Sequence, residues 1–316
     1  MIHVTDDQVN LTVTAADAQR VMQEAFASFG VDQSAVQERV RTQAQGVKLS
    51  TLGAVLPQQG VVGAKVYTTI AGQFNFVILL FSATDGRPLA TFDAGAITRL
   101  RTAATSIVAA KFLARRDAQK LALFGAGQQG IEHAIQFCRA FPIDEISLVD
   151  PYAGGDIVKT LERACGVPVS LREPNDAVRS ADIVVTASRS PTPLFCGASL
   201  KAGCFVAAIG SSLPHTRELD DDALQRASLV VVDWRLQALK EAGDLVLARP
   251  GSLPDEKVVD LAQVVLGKTK RSSDDDIVIY KSVGIGLQDI ALAGFAYTEI
   301  RTASEKAPDS SPRTLE

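Results

Sequence analysis

Lys120-Leu-Ala-Leu-Phe-Gly-Ala-Gly-Gln-Gln-Gly130 is the stretch that decides the fold. Its first five residues form a short apolar run, the pattern of a buried strand that ends in a turn. Three glycines follow, Gly125, Gly127 and Gly130, with Ala126, Gln128 and Gln129 between them. In such a loop the first glycine permits a tight turn. The second lets a pyrophosphate approach the backbone, and the third lets the next helix pack on the strand. The N–H groups that open this helix lack intrahelical partners and offer a positive dipole end to phosphate. The next apolar run, Glu145-Ile-Ser-Leu-Val-Asp, ends on Asp150, 20 residues after Gly130. A carboxylate there accepts hydrogen bonds from ribose hydroxyls and repels a 2′-phosphate, which favours NAD as cofactor, with NADP as the alternative. Alone, Asp150 before Pro151 also reads as a turn former. Strand, loop, helix and acid together point to a dinucleotide.

Downstream, short apolar runs at 182–187, 204–209, 228–233 and 276–281 join 120–124 and 145–150 as strands. Helical stretches near 128–140, 156–165, 220–227 and 255–266 lie between them. This alternation predicts an α/β class, a doubly wound parallel sheet over 117–286 that binds NAD(P). Upstream the pattern differs. Residues 14–29 read as a Thr-capped helix, and 61–69, 76–82 and 88–92 as strands, the last two a hairpin around Thr84-Asp-Gly-Arg-Pro. An Ala-rich helix follows over 98–114. Residues 1–116 are expected to form a smaller α+β domain for substrate binding and dimerisation. A final helix over 287–304 should complete it, because its apolar face needs a partner. Residues 305–316 read as a disordered tail.

The length of 316 residues fits two domains. Hydrophobic residues make up 47% of the chain and charged ones 22%, a globular balance. The net charge of −4 leaves no basic footprint, so neither nucleic acid nor membrane is an expected partner. No apolar run reaches about 18 residues. The start of the chain has no secretory pattern, so the cytoplasm is the expected compartment. Cys138, Cys165, Cys196 and Cys204 form no C-x-x-C pair and read as reduced core residues; no metal site is expected. Asp220 to Asp222 read as an acidic helix start.

Three cations of the first domain are placed unusually. Lys65 lies inside an apolar strand, Arg101 sits among Leu100, Thr102, Ala103 and Ala104, and Arg41 alternates with an apolar residue in Arg39-Val-Arg-Thr. A half-buried cation needs a partner, and a small carboxylate would be one; solvated strand and helix edges are the competing reading.

Four ordered motifs, Leu100-Arg-Thr-Ala-Ala-Thr-Ser, Leu121-Ala-Leu-Phe-Gly-Ala-Gly-Gln-Gln, Ala208-Ile-Gly-Ser-Ser-Leu-Pro-His-Thr-Arg-Glu-Leu-Asp and Lys281-Ser-Val-Gly-Ile-Gly-Leu-Gln-Asp, resemble the ornithine cyclodeaminase/mu-crystallin family over nearly the whole chain. The resemblance implies that Arg41, Lys65 and Arg101 hold the substrate, with Lys65 in the catalytic role. It implies that Arg101, Thr102, Gly125, Ala126, Gly127, Gln128, Gln129 and Asp150 hold the cofactor, and that Ser188, Ile209, Ser282 and Val283 line its nicotinamide half. It also implies a homodimer. Where cyclodeaminases of this family carry two carboxylates, this chain has Ser212 and Ala54. A serine hydroxyl cannot replace a carboxylate base without activation. The chain therefore resembles the ketimine-reductase branch. The implied reaction is reduction of a small cyclic imino acid, pyrroline-2-carboxylate or piperideine-2-carboxylate, by hydride transfer to the imine carbon. The alternatives are ornithine cyclodeaminase, an amino-acid dehydrogenase, and a non-catalytic ligand-binding protein. Asp289 is expected to brace the last helix or orient Lys65, and His215 to be a surface residue or a proton relay.

Overall fold

The computed structural model describes residues 1–306. The run Lys120–Phe124 is the third strand of an eight-stranded sheet whose order is Val169–Leu171, Glu145–Val149, Lys120–Phe124, Ile183–Thr186, Phe205–Ala208, Ile277–Lys281, Ala227–Val232, Val258–Asp260. Every pairing in it is parallel. From Lys120–Phe124 the chain winds to one edge and then returns to Ile183–Thr186 on the other side. That reversal opens a crevice at the carboxyl ends of these two strands, where a doubly wound sheet binds its ligand. The central strands are buried on both faces, which is why they read as unbroken apolar runs.

The second sheet has seven strands. Ile2–Val4 pairs parallel with Pro88–Asp93, and the order continues through Gln73–Ser82, Val61–Ile70 and Val47–Leu56 to Ala35–Val36, with Val40–Ala44 also on Val47–Leu56. One face is covered by the helices Ala15–Phe29, Gly95–Leu113 and Gly286–Lys306, so the last helix does return to the start of the chain. Gly95–Leu113 is buried along most of its length and also packs against Phe205–Ala208 and Ile277–Lys281. Its small alanines let other elements approach from several sides. The opposite face of the sheet leaves Val47, Leu49, Val55, Ile70 and Val77 exposed.

Several expectations need correction. The stretch 255–266 is not one helix but a 3-10 turn, the strand Val258–Asp260 and the helix Leu261–Val265. Asp260 marks the break: its carboxylate accepts the N–H of Arg235, which fixes the strand end to the neighbouring helix. The ten-residue strand Val47–Leu56 has polar residues on its buried face and so escaped the apolar-run criterion. Cys196 is exposed, because Pro193 to Cys196 form a surface loop and not a core strand; only Cys204 is fully buried. The last helix runs to Lys306, two residues into the stretch read as a tail; residues 307–316 lie outside the described residues. Among the described residues no helix is long and apolar enough to cross a membrane.

Candidate active site

Gly125 has φ +93, and a Cβ on Gly130 would stand 1.9 Å from the carbonyl oxygen of Gly125. No side chain fits there, so the helix Gln128–Ala140 presses directly on the loop. A Cβ on Gly127 would meet nothing within 4 Å, and Gly127 caps the helix with no side chain to satisfy its first N–H groups. The loop thus presents bare donors to open space. That space is a cavity of about 1040 Å³ lined by Gly125, Gly127, Asp150, Tyr152, Ser188 and Arg189. Asp150 accepts the N–H of Ala126 at 2.8 Å through Oδ2 and that of Tyr152 at 2.8 Å through Oδ1, so its carboxylate is braced at the cavity edge with lone pairs left over. Gln128 is exposed; Gln129 turns inward and donates to the carbonyl of Thr98. The buried Thr102 donates to the same carbonyl at 2.6 Å. His133 donates from Nδ1 to the carbonyl of Gln129 and accepts from Ser106 at Nε2, tying this helix to Gly95–Leu113. Burial lowers its pKa to about 4, so it stays neutral.

Two buried carboxylates that sequence reasoning did not single out shape the rest of the crevice. Glu218 accepts from the hydroxyls of Thr186 and Ser188 and from the N–H groups of Ser188, Gly210 and Ser211. It thereby fixes the loops after two adjacent strands, including Ser188 and the turn after Ile209. Asp233 accepts from Tyr280 and Ser282 hydroxyls, from Gln288, and from the N–H groups of Val283 and Gly284. The Ser282 hydroxyl, expected to face the nicotinamide, is therefore committed to Asp233, and only the backbone from Ser282 to Gly284 remains to line the site. Asp233 follows the strand Ala227–Val232, and its donors come together only once Ile277–Lys281 lies beside it.

Lys65 stands on the covered face of its sheet between Leu52 and Ile78, its cross-strand neighbours. It is 3% exposed. Its Nζ donates to Asp289 Oδ1 at 2.9 Å and to Thr98 Oγ1 at 3.1 Å, and lies 5.0 Å from the Phe76 ring centroid. Desolvation is the main cause that brings its pKa down to about 8; Asp289 opposes the shift and Arg101 adds to it. Asp289 is also desolvated, but Arg101 and Lys65 hold its carboxyl below the usual carboxylate range. Arg101 donates through Nε to Asp289 at 3.1 Å and through Nη1 to Gln288. Asp289 thus orients both cations and sits in the first turn of the last helix. Arg41, on the same face, is a quarter exposed and pairs with Glu241. Leu52, not Ala54, is the residue opposite Lys65; Ala54 faces Gly63, and both positions are apolar. Ser212 is partly exposed and His215 is exposed on the loop after Phe205–Ala208. Cys196, Asp220 and Asp222 place potential ligand atoms within 4.8 Å of one another, but Asp220 already caps a helix and accepts the N–H of Gly197.

Residues 3–304 match the model described as the ornithine cyclodeaminase/mu-crystallin family. The chain belongs to that family. A Delta(1)-pyrroline-2-carboxylate reductase of Bacillus cereus is 35% identical over 266 residues, 81% of this chain and 77% of its own. A probable ornithine cyclodeaminase of Bordetella pertussis Tohama I is 59% identical, with a TM-score of 0.95 over 96% of this chain and 98% of that one. An archaeal alanine dehydrogenase dimer with bound NAD is 27% identical, with a TM-score of 0.89 over 96% of each chain. Within the ornithine cyclodeaminase/mu-crystallin family these relatives differ in their reactions, so the side chains around Lys65 must decide between them.

Proposed function

We propose that this enzyme reduces a small cyclic 2-imino carboxylate with NADH. The observation that carries the reading is the buried set Lys65, Arg101 and Asp289, joined through Thr98 to Gln129 of the glycine loop, with an apolar residue, Leu52, opposite Lys65 on the neighbouring strand. The glycine loop, the open space over Gly127 and the braced Asp150 fit NAD, which the relative with bound NAD supports. Gly125, Ala126, Gly127, Gln128, Gln129, Asp150, Arg101 and Thr102 would hold it, and Ser188, Ile209, Ser282 and Val283 would line its nicotinamide half. A bound nicotinamide supplies the hydride that the imine carbon receives. Arg41 and Arg101 hold the substrate carboxylate in bidentate fashion and aim the ring. Lys65 donates a proton to the ring nitrogen; the iminium carbon becomes the better hydride acceptor, and a secondary amine leaves. Residues 1–116 with the last helix form the substrate domain, and 117–286 the cofactor domain. The exposed apolar sheet face is the surface for a homodimer. The four free cysteines fit a reducing compartment, and the cytoplasm is the expected one.

Cyclisation of ornithine would need a carboxylate to steer the departing and attacking amines, and Ser212, Leu52 and Ala54 supply none. Purified enzyme mixed with NADH and pyrroline-2-carboxylate or piperideine-2-carboxylate should oxidise the NADH. Ammonia release from ornithine without such oxidation would overturn the reading.

Two further results follow from the site. Lys65 is charged below its pKa of about 8 and can then donate; above it the amine is neutral. Reductive kcat/KM should be flat at neutral pH and fall about tenfold per pH unit above that value. A profile that stays flat to pH 10 would remove Lys65 as the proton donor. Replacing Asp150 by serine removes the charge that repels a 2′-phosphate. The ratio of kcat/KM for NADPH over NADH should rise by roughly tenfold or more; an unchanged ratio would show that Asp150 does not read the ribose.

A further inference from the structure

The substrate arginine and the nicotinamide loop belong to different sheets, yet one buried carboxylate joins them. Glu241 closes the helix Arg235–Glu241. Its Oε1 accepts from Arg41 Nη1, and its Oε2 accepts from Arg39 Nη1 at 2.6 Å and from Gln237 Nε2 at 3.0 Å. Arg39 is tied to the neighbouring loop through its other terminal nitrogen: Nη2 donates to the carbonyls of Val283 at 2.9 Å and Gly284 at 2.7 Å, while its buried Nε has no partner among the described residues. Gln237 donates to the same Gly284 carbonyl at 3.0 Å. Gly284 in turn lies against Arg101, whose guanidinium nitrogens would be 2.9 Å from a Cβ placed there. Arg41 therefore connects through Glu241, Arg39 and Gly284 to Arg101, the other arginine of the site. Arg39 and Arg41 share the one Glu241 carboxylate, so among the described residues one positive charge has no counterion, and Arg41, with only Nη1 engaged, keeps Nε and Nη2 without a partner there.

We propose that Glu241 is a positioning residue for substrate recognition. It presets the Arg41 guanidinium so that its free edge receives a monoanionic carboxylate, and it holds that edge in register with the loop from Ser282 to Gly284. The proposal rests on the imino-acid reading for the identity of the substrate, but not for the existence of a carboxylate site. Without the Glu241 charge, Arg39 and Arg41 repel each other, and Arg41 loses the anchor that limits its rotamers.

The test uses Glu241→Gln, which keeps size and one acceptor oxygen. For the wild type and the variant, three quantities are measured: kcat and KM for pyrroline-2-carboxylate, the Kd of NADH, and calorimetric binding of pyrrole-2-carboxylate to the NADH complex. KM and the pyrrole-2-carboxylate Kd should rise about tenfold or more, with kcat within about threefold and the NADH Kd unchanged. In an Arg41→Ala background the same change should add little, because Glu241 acts through Arg41. A tighter carboxylate in Glu241→Gln would show that Glu241 competes with substrate and would overturn the proposal. So would equal losses in kcat, KM and NADH binding, the signature of a merely structural brace. If wild type binds pyrrole-2-carboxylate but turns over no imino acid, the function fails while the binding comparison still decides the role of Glu241.

Discussion

Lys65→Met is expected to lower kcat for imine reduction by roughly 10²–10⁴-fold, the range for loss of a positioned general acid. NADH binding should be retained. The physical case lies in what surrounds the amine. Leu52 and Ile78 flank it, Phe76 lies 5.0 Å away, and burial brings its pKa to about 8. A lysine in water at neutral pH holds its proton too tightly to be an efficient donor; this one is poised near the working pH. Methionine fills the same channel, and Asp289 keeps Arg101 as its counterion, so no charge is stranded. The variant should also lose the alkaline limb of the pH profile. Stopped-flow single turnovers would measure the hydride step directly. A variant within tenfold of wild type would move the proton donor elsewhere.

Arg101→Ala should be damaging in a different way. Its guanidinium bonds Asp289 and Gln288 and is 6% exposed. On the proposed role, removing it takes away a charge-assisted contact with the substrate carboxylate, worth about 1.5–3 kcal/mol. That alone lowers kcat/KM by roughly tenfold to 150-fold. It also leaves Asp289 dependent on Lys65 alone, which should raise the Lys65 pKa and move the alkaline limb upward. Breaking one partner out of a buried pair costs about 3–5 kcal/mol in stability, so the urea midpoint should fall as well. Arg101→Lys should not rescue activity, because an ammonium cannot reach Gln288 and Asp289 in one planar fork. A near-wild-type kcat/KM for the alanine variant would take Arg101 out of the site.

The glycine loop between strand and helix was legible because its signals are local. The strand, the glycines and Asp150 fall within about thirty residues and obey one spacing rule. Lys65, Arg41 and Arg101 were visible as cations among apolar neighbours. Their counterions were less so. The sequence leaves Asp289 two roles, brace of the last helix or partner of Lys65, and Glu241 lies 200 residues from Arg41 and 202 from Arg39. No periodicity links positions so far apart; only the return of the last helix and the packing of Arg235–Glu241 beside Val40–Ala44 bring them together. Glu218 and Asp233 were missed for the same reason, since each is defined by the loops it gathers. The stretch 255–266 failed otherwise. A three-residue edge strand running straight into a five-residue helix shares one apolar run, and composition cannot divide it.

The position of Asp289 has a consequence for biosynthesis. The eight-stranded sheet lies wholly within residues 120–281, so all its strands have been made before the last helix leaves the ribosome. The other sheet has had its strands since residue 93, yet the last of its three covering helices, with Ile290, Leu292 and Ala296 in the core, comes at the end. Domains fold as units in the order of synthesis. Here the first-made domain needs the last-made element: until it arrives, part of the apolar face stays uncovered and Lys65 and Arg101 lack their anion. A nascent chain therefore has the glycine loop and its sheet well before it has the Lys65, Arg101 and Asp289 set. Termination before Gly286 is expected to leave a chain without Asp289 and with part of that apolar face exposed.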